Sequence, residues 1–365
     1  MVNWLLAHLR DGRARIRVIC EFVAGLAGAI RATPQGDFRL LTLRECIRDS
    51  CNYTRYSGTA RGVQSREAFG AKLTIEYHCI EKALALQEPR TGFGKERVEQ
   101  LIASIKEFVG KYGADETVQV SINVLQSYYE FNANRGVRDD SLREEIEGLR
   151  LISQGSGTWC RDGGVTVLRR CEVEDFCRVD FDKFTKSRYS IRDFSAEPVA
   201  PDLIESAARM ALKTPSVCNR QPWKVHAYFD RERKQRILAC QSGNRGFGDV
   251  ASVILVVTAP ASAFFGVGER NEPYIDGGMF SMSLVYALHS LGLASCCLNL
   301  CATDQHAAEL RRAAEIADDE ILIMMIAVGN MPEHFAAAQS HRKPLDEVLE
   351  MHGIPRDAKR GVNRT

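Results

Sequence analysis

Val253-Ile254-Leu255-Val256-Val257 and Ile321-Leu322-Ile323-Met324-Met325-Ile326-Ala327-Val328 are two apolar runs of strand length, and what lies between them decides the fold. Such runs suit strands covered on both faces. Between them the pattern predicts a helix from about Gly277 to Leu291, with Asp276 as its cap and Gly292 as its stop. Met279, Phe280, Met282, Leu284, Val285, Leu288 and Leu291 occupy nearly every face of that helix, so it reads as buried all round, either central or half of a dimer interface. Upstream, Pro201 fits the first turn of a helix carrying Leu203, Ile204, Ala207, Ala208 and Ala211, which Pro215 should end. Val225, Ala227 and Phe229 then alternate with His226 and Tyr228, as in a half-buried strand.

Toward the amino terminus the style changes. Phe69, Leu73, Tyr77, Ile80 and Leu84 form one helical face, Val98 to Val109 a second, and Val118, Ile122, Leu125 and Tyr128 or Tyr129 a third. Residues 1–60 are Arg-rich and amphipathic, with a break at 32–36. Residues 61–150 read as a helical domain. Residues 151–180 read as a connector, with turns at 155–157 and 163–164 and a short strand at 165–168. A mixed α and β domain follows over 181–355, with a tail over 356–365. Segment 1–33 either packs on protein or lies on an acidic membrane. Its longest apolar run, Val18 to Ile30, contains Glu21 and is too short to span a bilayer, and no secretory signal is evident.

The 365 residues hold 48 basic and 47 acidic side chains, a net charge of +1, which argues against a nucleic-acid binder that neutralises many phosphates. The 12 cysteines include no C-x-x-C pair. They read as reduced and mostly buried in a cytoplasmic protein, with a peripheral position at the inner face of the membrane as the alternative, and no metal site is expected.

Four segments carry candidate chemistry. In Ser187-Arg188-Tyr189-Ser190-Ile191-Arg192-Asp193-Phe194, an extended chain would point Arg188, Ser190 and Arg192 one way, a cradle for phosphate. The plainer alternative is a solvated arginine pair. Thr214-Pro215-Ser216-Val217-Cys218-Asn219-Arg220-Gln221-Pro222-Trp223 offers the amides of Asn219 and Gln221 to the polar edge of a heteroaromatic ring, or else is a loop that satisfies its own backbone. Leu291 to Asn299 would let a flat ligand approach the main chain, or is a tight helix-to-strand turn. His341-Arg342-Lys343-Pro344-Leu345 groups three potential cations or is a solvated charge run.

In this order, together with Asp276-Gly277-Gly278 and Val328-Gly329-Asn330, these segments resemble the FMN-dependent nitroreductase family over roughly Phe181 to His352. The resemblance implies an α+β fold, a three-layer sandwich with a mostly antiparallel sheet, here preceded by a helical domain. It also implies a homodimer with FMN at the subunit interface. Arg188, Ser190 and Arg192 would hold the FMN phosphate, with Tyr189 contributing main chain, and Arg342 and Lys343 would close over it. Pro215, Ser216, Asn219 and Gln221 would line the isoalloxazine ring, from the other subunit. Cys297, Leu298 and Asn299 match the backbone stretch beside flavin N5, where the best-known members carry Pro-Ile-Glu-Gly. The implied activity passes a hydride from NADH or NADPH through flavin N5 to a small electron-poor acceptor of nitro, quinone or enone type. The protein supplies position and electrostatics, with no catalytic acid–base pair. His226, His289 and His341 then read as structural or peripheral. The alternatives are a flavin-dependent dehydrogenase or tailoring enzyme on a glycan or peptide precursor, and a flavin-binding regulatory subunit that engages a membrane or synthase partner. Tyr77-His78-Cys79-Ile80-Glu81-Lys82 and Arg90-Thr91-Gly92-Phe93-Gly94 form either a lid or partner surface or a polar helix face beside a loop.

Overall fold

The structure, a computed structural model, describes residues 34–61, 65–153, 160–300 and 304–353. The amphipathic reading of 1–33 therefore lies outside the described residues. No helix among the described residues is long and apolar enough to cross a membrane.

The first half is helical. Helices α1 (Pro34–Tyr56), α2 (Gly58–Arg61), α3 (Arg66–Leu84), α4 (Lys95–Tyr112), α5 (Glu116–Ala133) and α6 (Asp140–Ile152) follow one another. Side-chain caps start three of them: Ser65, Asp115 and Asp139 each accept a hydrogen bond from the backbone N–H three residues on, satisfying a donor that the helix itself leaves free. The stripes legible in the sequence meet in one core: Phe69 and Leu73 from α3, Leu101, Ile105 and Phe108 from α4, Ile122 and Leu125 from α5, and Ile146 and Leu149 from α6. Each such side chain contributes about 1.5–3 kcal/mol by leaving water.

Both motifs of unassigned role in this half make contacts within the fold. Glu81 accepts from the Nδ1 side of His78 at 3.0 Å and from Gly164 N at 3.0 Å. Asn123 and Gln119 grip the backbone of Cys160 and Asp162. Asn132 accepts from Gly92 N, and Tyr128 donates to Phe93 O. The polar faces of α3 and α5 thus hold the connector and the 90–94 loop against the bundle. Gly164 must be glycine, since its φ is +92° and a Cβ would sit 2.2 Å from Ser127 Oγ. The expected strand at 165–168 is not formed. Val165, Val167 and Leu168 lie in irregular, exposed chain before α7 (Arg170–Cys177) and α8 (Phe181–Ser187), and among the described residues no strand pairs with them.

The second half runs α9 (Pro201–Ala211), β1 (Lys224–Tyr228), α10 (Arg231–Ala239), β2 (Val253–Pro260), α11 (Glu272–Ser290), β3 (Leu293–Leu298), α12 (Asp304–Ala314) and β4 (Glu320–Asn330). The four strands form one wholly antiparallel sheet in the order β1-β2-β4-β3. Because side chains alternate, Ile254, Val256, Cys296, Met325 and Ala327 face Ile237 and Leu238 of α10 and Leu310 of α12. Val253, Leu255, Val257, Ile326 and Val328 face Ile204 and Ala207 of α9 and Phe280, Leu284 and Leu288 of α11. Burial on both faces explains why the two defining runs are apolar throughout. The fold is the expected α+β three-layer sandwich.

Three expectations are corrected here. Helix α11 starts at Glu272, not Gly277, because Pro273 suits the first turn, and Asp276 is an interior residue of that helix. Nor is α11 buried all round: Ile275, Met279 and Met282 are exposed along one side. Gly292 ends it at φ +76°, as expected. The cysteines are free but not mostly buried: of the ten described, only Cys296 is buried, and Cys296 and Cys297 lie within β3 rather than in a loop.

Candidate flavin site

The Arg188–Phe194 segment leaves α8 and runs beside β3. Ile191 N donates to Ser295 O at 3.0 Å, and Ser195 N donates to Asn330 O at 3.0 Å. Ile191 and Phe194 are buried and anchor the segment. Phe194 packs so closely on Gly329 that a Cβ there would lie 2.5 Å from the ring, which gives Gly329 of the Val328-Gly329-Asn330 motif its physical reason. With Ile191 turned inward, Arg188, Ser190 and Arg192 are left on the outer side, together with exposed Tyr189. Arg192 bonds only the Ser190 carbonyl, at 3.4 Å, and lies 5.9 Å from the Phe247 ring centre. Neither arginine forms an ion pair with a carboxylate among the described residues.

Cys296 and Cys297 lie beside these arginines. Burial pushes the Cys296 thiol up, with Arg192 opposing. Cys297 is exposed by area but crowded by surrounding atoms, and that crowding pushes its thiol up too, with Arg188 opposing. Both shifts favour the thiol form over the thiolate at neutral pH. Leu298 closes the strand into the core, and Asn299 follows, its carbonyl accepting from Gln241 Nε2 at 3.1 Å. Beside Asn299 opens a polar cleft of about 640 Å³, lined among others by Gln235, Asn244, Arg245, Asp249 and His306.

The second group sits elsewhere. The 214–223 loop feeds β1, one edge of the sheet, whereas the arginine segment lies along β3, the other edge. Pro215 leads into the loop after α9, which has already ended at Ala211. Ser216 Oγ accepts from Gln221 N at 2.9 Å, and Asn219 N donates to the Ser216 carbonyl at 3.0 Å. Cys218, Asn219 and Gln221 all take positive φ, at 49°, 55° and 51°. Left-handed backbone costs a non-glycine residue about 1–2 kcal/mol, so something must hold this turn.

Two groups do, and neither was apparent from sequence reading. Arg220, its side chain fully enclosed, makes a two-pronged pair with Glu269 at 2.8 and 2.9 Å. It also donates to Ala263 O and Val217 O. Asp276, fully buried in α11, accepts from Val217 N with both carboxylate oxygens, at 3.1 and 3.2 Å. Trp223 stacks on Phe280 of α11 at 4.7 Å and fixes the far end. Glu269 lies 49 residues from Arg220, so no local spacing announces the pair.

Burial pushes the Asp276 carboxyl up to about 6 from an ordinary value of 3.8, against the Val217 hydrogen bond. A carboxyl raised on folding favours the native state fully below the unfolded value, and that contribution is lost as pH climbs through 6. Asp276→Asn keeps an acceptor for Val217 N and removes the charge. We expect it to match the parent in urea unfolding at pH 4 and to be more stable by about 2–3 kcal/mol at pH 8; equal stability at both pH values would show that Asp276 is not desolvated.

The cations of the carboxy-terminal segment make local contacts. Arg342 bonds the Ser340 carbonyl, and Lys343 pairs with Glu347 at 3.5 Å. No hydrogen bond or ion pair among the described residues joins them to Arg188 or Arg192 within one chain. His226 is structural, as expected: it donates to Glu320, also bonded by Thr258 and Lys224. Burial alone would raise that carboxyl, but the three hydrogen bonds hold it down at about 2. His289 contacts Ser187 Oγ at 2.8 Å, and burial lowers its pKa.

Residues 185–243, which contain both the arginine segment and the positive-φ loop, match the model of the Nitroreductase family. Among curated relatives, the iodotyrosine deiodinase of Nematostella vectensis is 25% identical over 199 residues, 47% of this chain and 74% of that protein. Two solved structures are similar over about half the chain. One is a nitroreductase from Desulfovibrio desulfuricans in complex with FMN (22% identity, 49% of this chain, 99% of that chain, TM-score 0.43). The other is a Nitroreductase Family Protein from Streptococcus pneumoniae (21% identity, 47% and 100%, TM-score 0.41).

Proposed function

We propose that the protein is an FMN-dependent oxidoreductase that passes a hydride from NADH or NADPH to a small electron-poor acceptor. The observation that carries this reading is the Arg188-Ser190-Arg192 group: two cations with no described acidic partner bracket a hydroxyl on a backbone pinned to β3, inside the family-matched stretch. Arginine binds phosphate oxygens with two parallel N–H donors, and Ser190 adds a third kind of donor. The residues fit FMN in a second respect. Cys297, exposed at the end of edge strand β3, leaves room for a flat ring beside the backbone that continues to Asn299. FMN, when bound, supplies the two-electron chemistry. Arg188 and Arg192 would hold its phosphate, and main-chain N–H groups near Cys297 and Asn299 would lie along its ring. Asn219 and Gln221 orient the ring edge.

The two groups lie on opposite edges of one sheet, so a single copy does not hold a complete site. A second copy brings the loop of one chain to the arginines of the other. The exposed Ile275, Met279 and Met282 of α11, and Leu345, Val348 and Met351 of the carboxy-terminal segment, are apolar surface of the kind a homodimer covers. Sedimentation is expected to give a dimer; a monomer that still binds FMN would contradict the shared site.

The activity is tested by anaerobic mixing of the FMN-loaded protein with NADH or NADPH, followed by turnover with a quinone or a nitroaromatic. Bleaching of the flavin by one donor is expected. Retained FMN that neither donor reduces would defeat the hydride-transfer reading.

A further inference from the structure

The helical half meets the candidate site through a junction of hydrogen bonds and through α3. Gly58, between α1 and the body of α2, donates its N–H to Phe264 O at 2.9 Å. Tyr53 Oη donates to Gly266 O at 2.7 Å, and Gly266 N donates to Thr59 Oγ1 at 2.7 Å. The approach is so tight that a Cβ on Gly58 would lie 2.4 Å from the Phe265 ring and 2.7 Å from Ser262 O. Behind this junction, Ala71 of α3 packs in a small apolar cluster with Ala259, Ala263 and Phe264, and Val217 of the positive-φ loop joins it. Helix α3 also packs directly on the Val217–Asn219 turn.

The segment gripped by the helical half, residues 261–269, is the one that holds Arg220. Ala263 O accepts from Arg220, the Phe264 ring lies 5.2 Å from its guanidinium, and Glu269 pairs with it while also accepting from Phe265 N at 2.6 Å. Arg220 in turn bonds Val217 O and sits between Asn219 and Gln221.

We propose that the helical half is a positioning element of the site: through Tyr53, Gly58 and Thr59 it fixes the 261–269 segment, and that segment, through Arg220, holds the Cys218–Gln221 turn in the shape that aims the Asn219 and Gln221 amides. The proposal rests on the flavin reading for what those amides face, but not for the mechanical link. It gives the helical half a role inside the catalytic unit and makes Arg220 a positioning residue.

The test uses the full chain and two variants. Gly58→Ala forces the junction apart. Tyr53→Phe with Thr59→Val removes the two side-chain hydrogen bonds while keeping side-chain volume, and so preserves folding. Leu149→Ala, deep in the helical core, is the control for general destabilisation. Hydrogen–deuterium exchange is read on the 214–223 peptide, and FMN affinity by fluorescence titration. In both junction variants we expect loop exchange to rise at least tenfold and FMN to bind at least tenfold more weakly, while peptides from 101–125 stay protected and the control leaves the loop slow. Loop exchange equal to the parent's in a folded junction variant overturns the proposal. So does faster loop exchange with unchanged FMN affinity. A parent that takes up no FMN defeats the flavin reading instead, and loop exchange still decides the link.

Discussion

The double variant Arg188→Ala, Arg192→Ala is expected to lose FMN affinity by roughly 150- to 20,000-fold. A hydrogen bond to a charged group contributes about 1.5–3 kcal/mol, and two are removed, so the loss is about 3–6 kcal/mol. The fold should survive, because the segment is anchored by Ile191, Phe194 and its backbone bonds to Ser295 and Asn330 rather than by the arginines. Equilibrium dialysis with FMN reads the effect, and circular dichroism checks the fold. Full flavin occupancy in the folded double variant would show that the phosphate is held elsewhere.

The second large effect is expected at Arg220. Removing one partner of a buried ion pair costs about 3–5 kcal/mol, because the other charge is left without compensation. Glu269 retains some solvent contact, with 29% of its side chain exposed, so the lower end applies and Arg220→Ala should cost about 3 kcal/mol. Urea unfolding at neutral pH measures it. Arg220→Lys keeps the charge but loses the two-pronged geometry and the reach to Ala263 O and Val217 O, so it should fall between parent and alanine variant. A loss below about 0.5 kcal/mol in Arg220→Ala would mean that the pair behaves like a surface one.

Much of the fold was legible because it follows from periodicity. The stripe through Phe69, Leu73, Ile80 and Leu84 repeats at helical spacing and becomes the buried face of α3. The runs at 253–257 and 321–328 are apolar throughout and become inner strands β2 and β4. Where the reading failed, a non-local partner decided the outcome. Val165 to Leu168 have strand composition but no neighbouring strand among the described residues. Asp276 looks like a cap because it precedes two glycines, yet Pro273 starts the helix earlier and leaves the carboxylate pointing at Val217. The cysteines read as core by residue type, but among the ten described only Cys296 meets that expectation.

The site was legible in the same uneven way. Arg188, Ser190 and Arg192 were singled out because alternation along extended chain is a local property. Asn219 and Gln221 were visible as amides, but the agents that shape their loop, Glu269 and the Tyr53–Thr59 junction, lie 49 and more than 150 residues away. No window of sequence contains such a pair. Arg342 and Lys343 lie in an exposed segment whose hydrogen bond and ion pair are local, to the Ser340 carbonyl and to Glu347.

The central claim is that this chain binds FMN between the Arg188–Arg192 segment and the Asn219–Gln221 loop. The visible absorption spectrum of the purified full-length protein, before and after addition of FMN and gel filtration, tests it most directly. The account predicts oxidised-flavin bands that travel with the protein at about one FMN per chain. A protein that emerges colourless after incubation with excess FMN would contradict it.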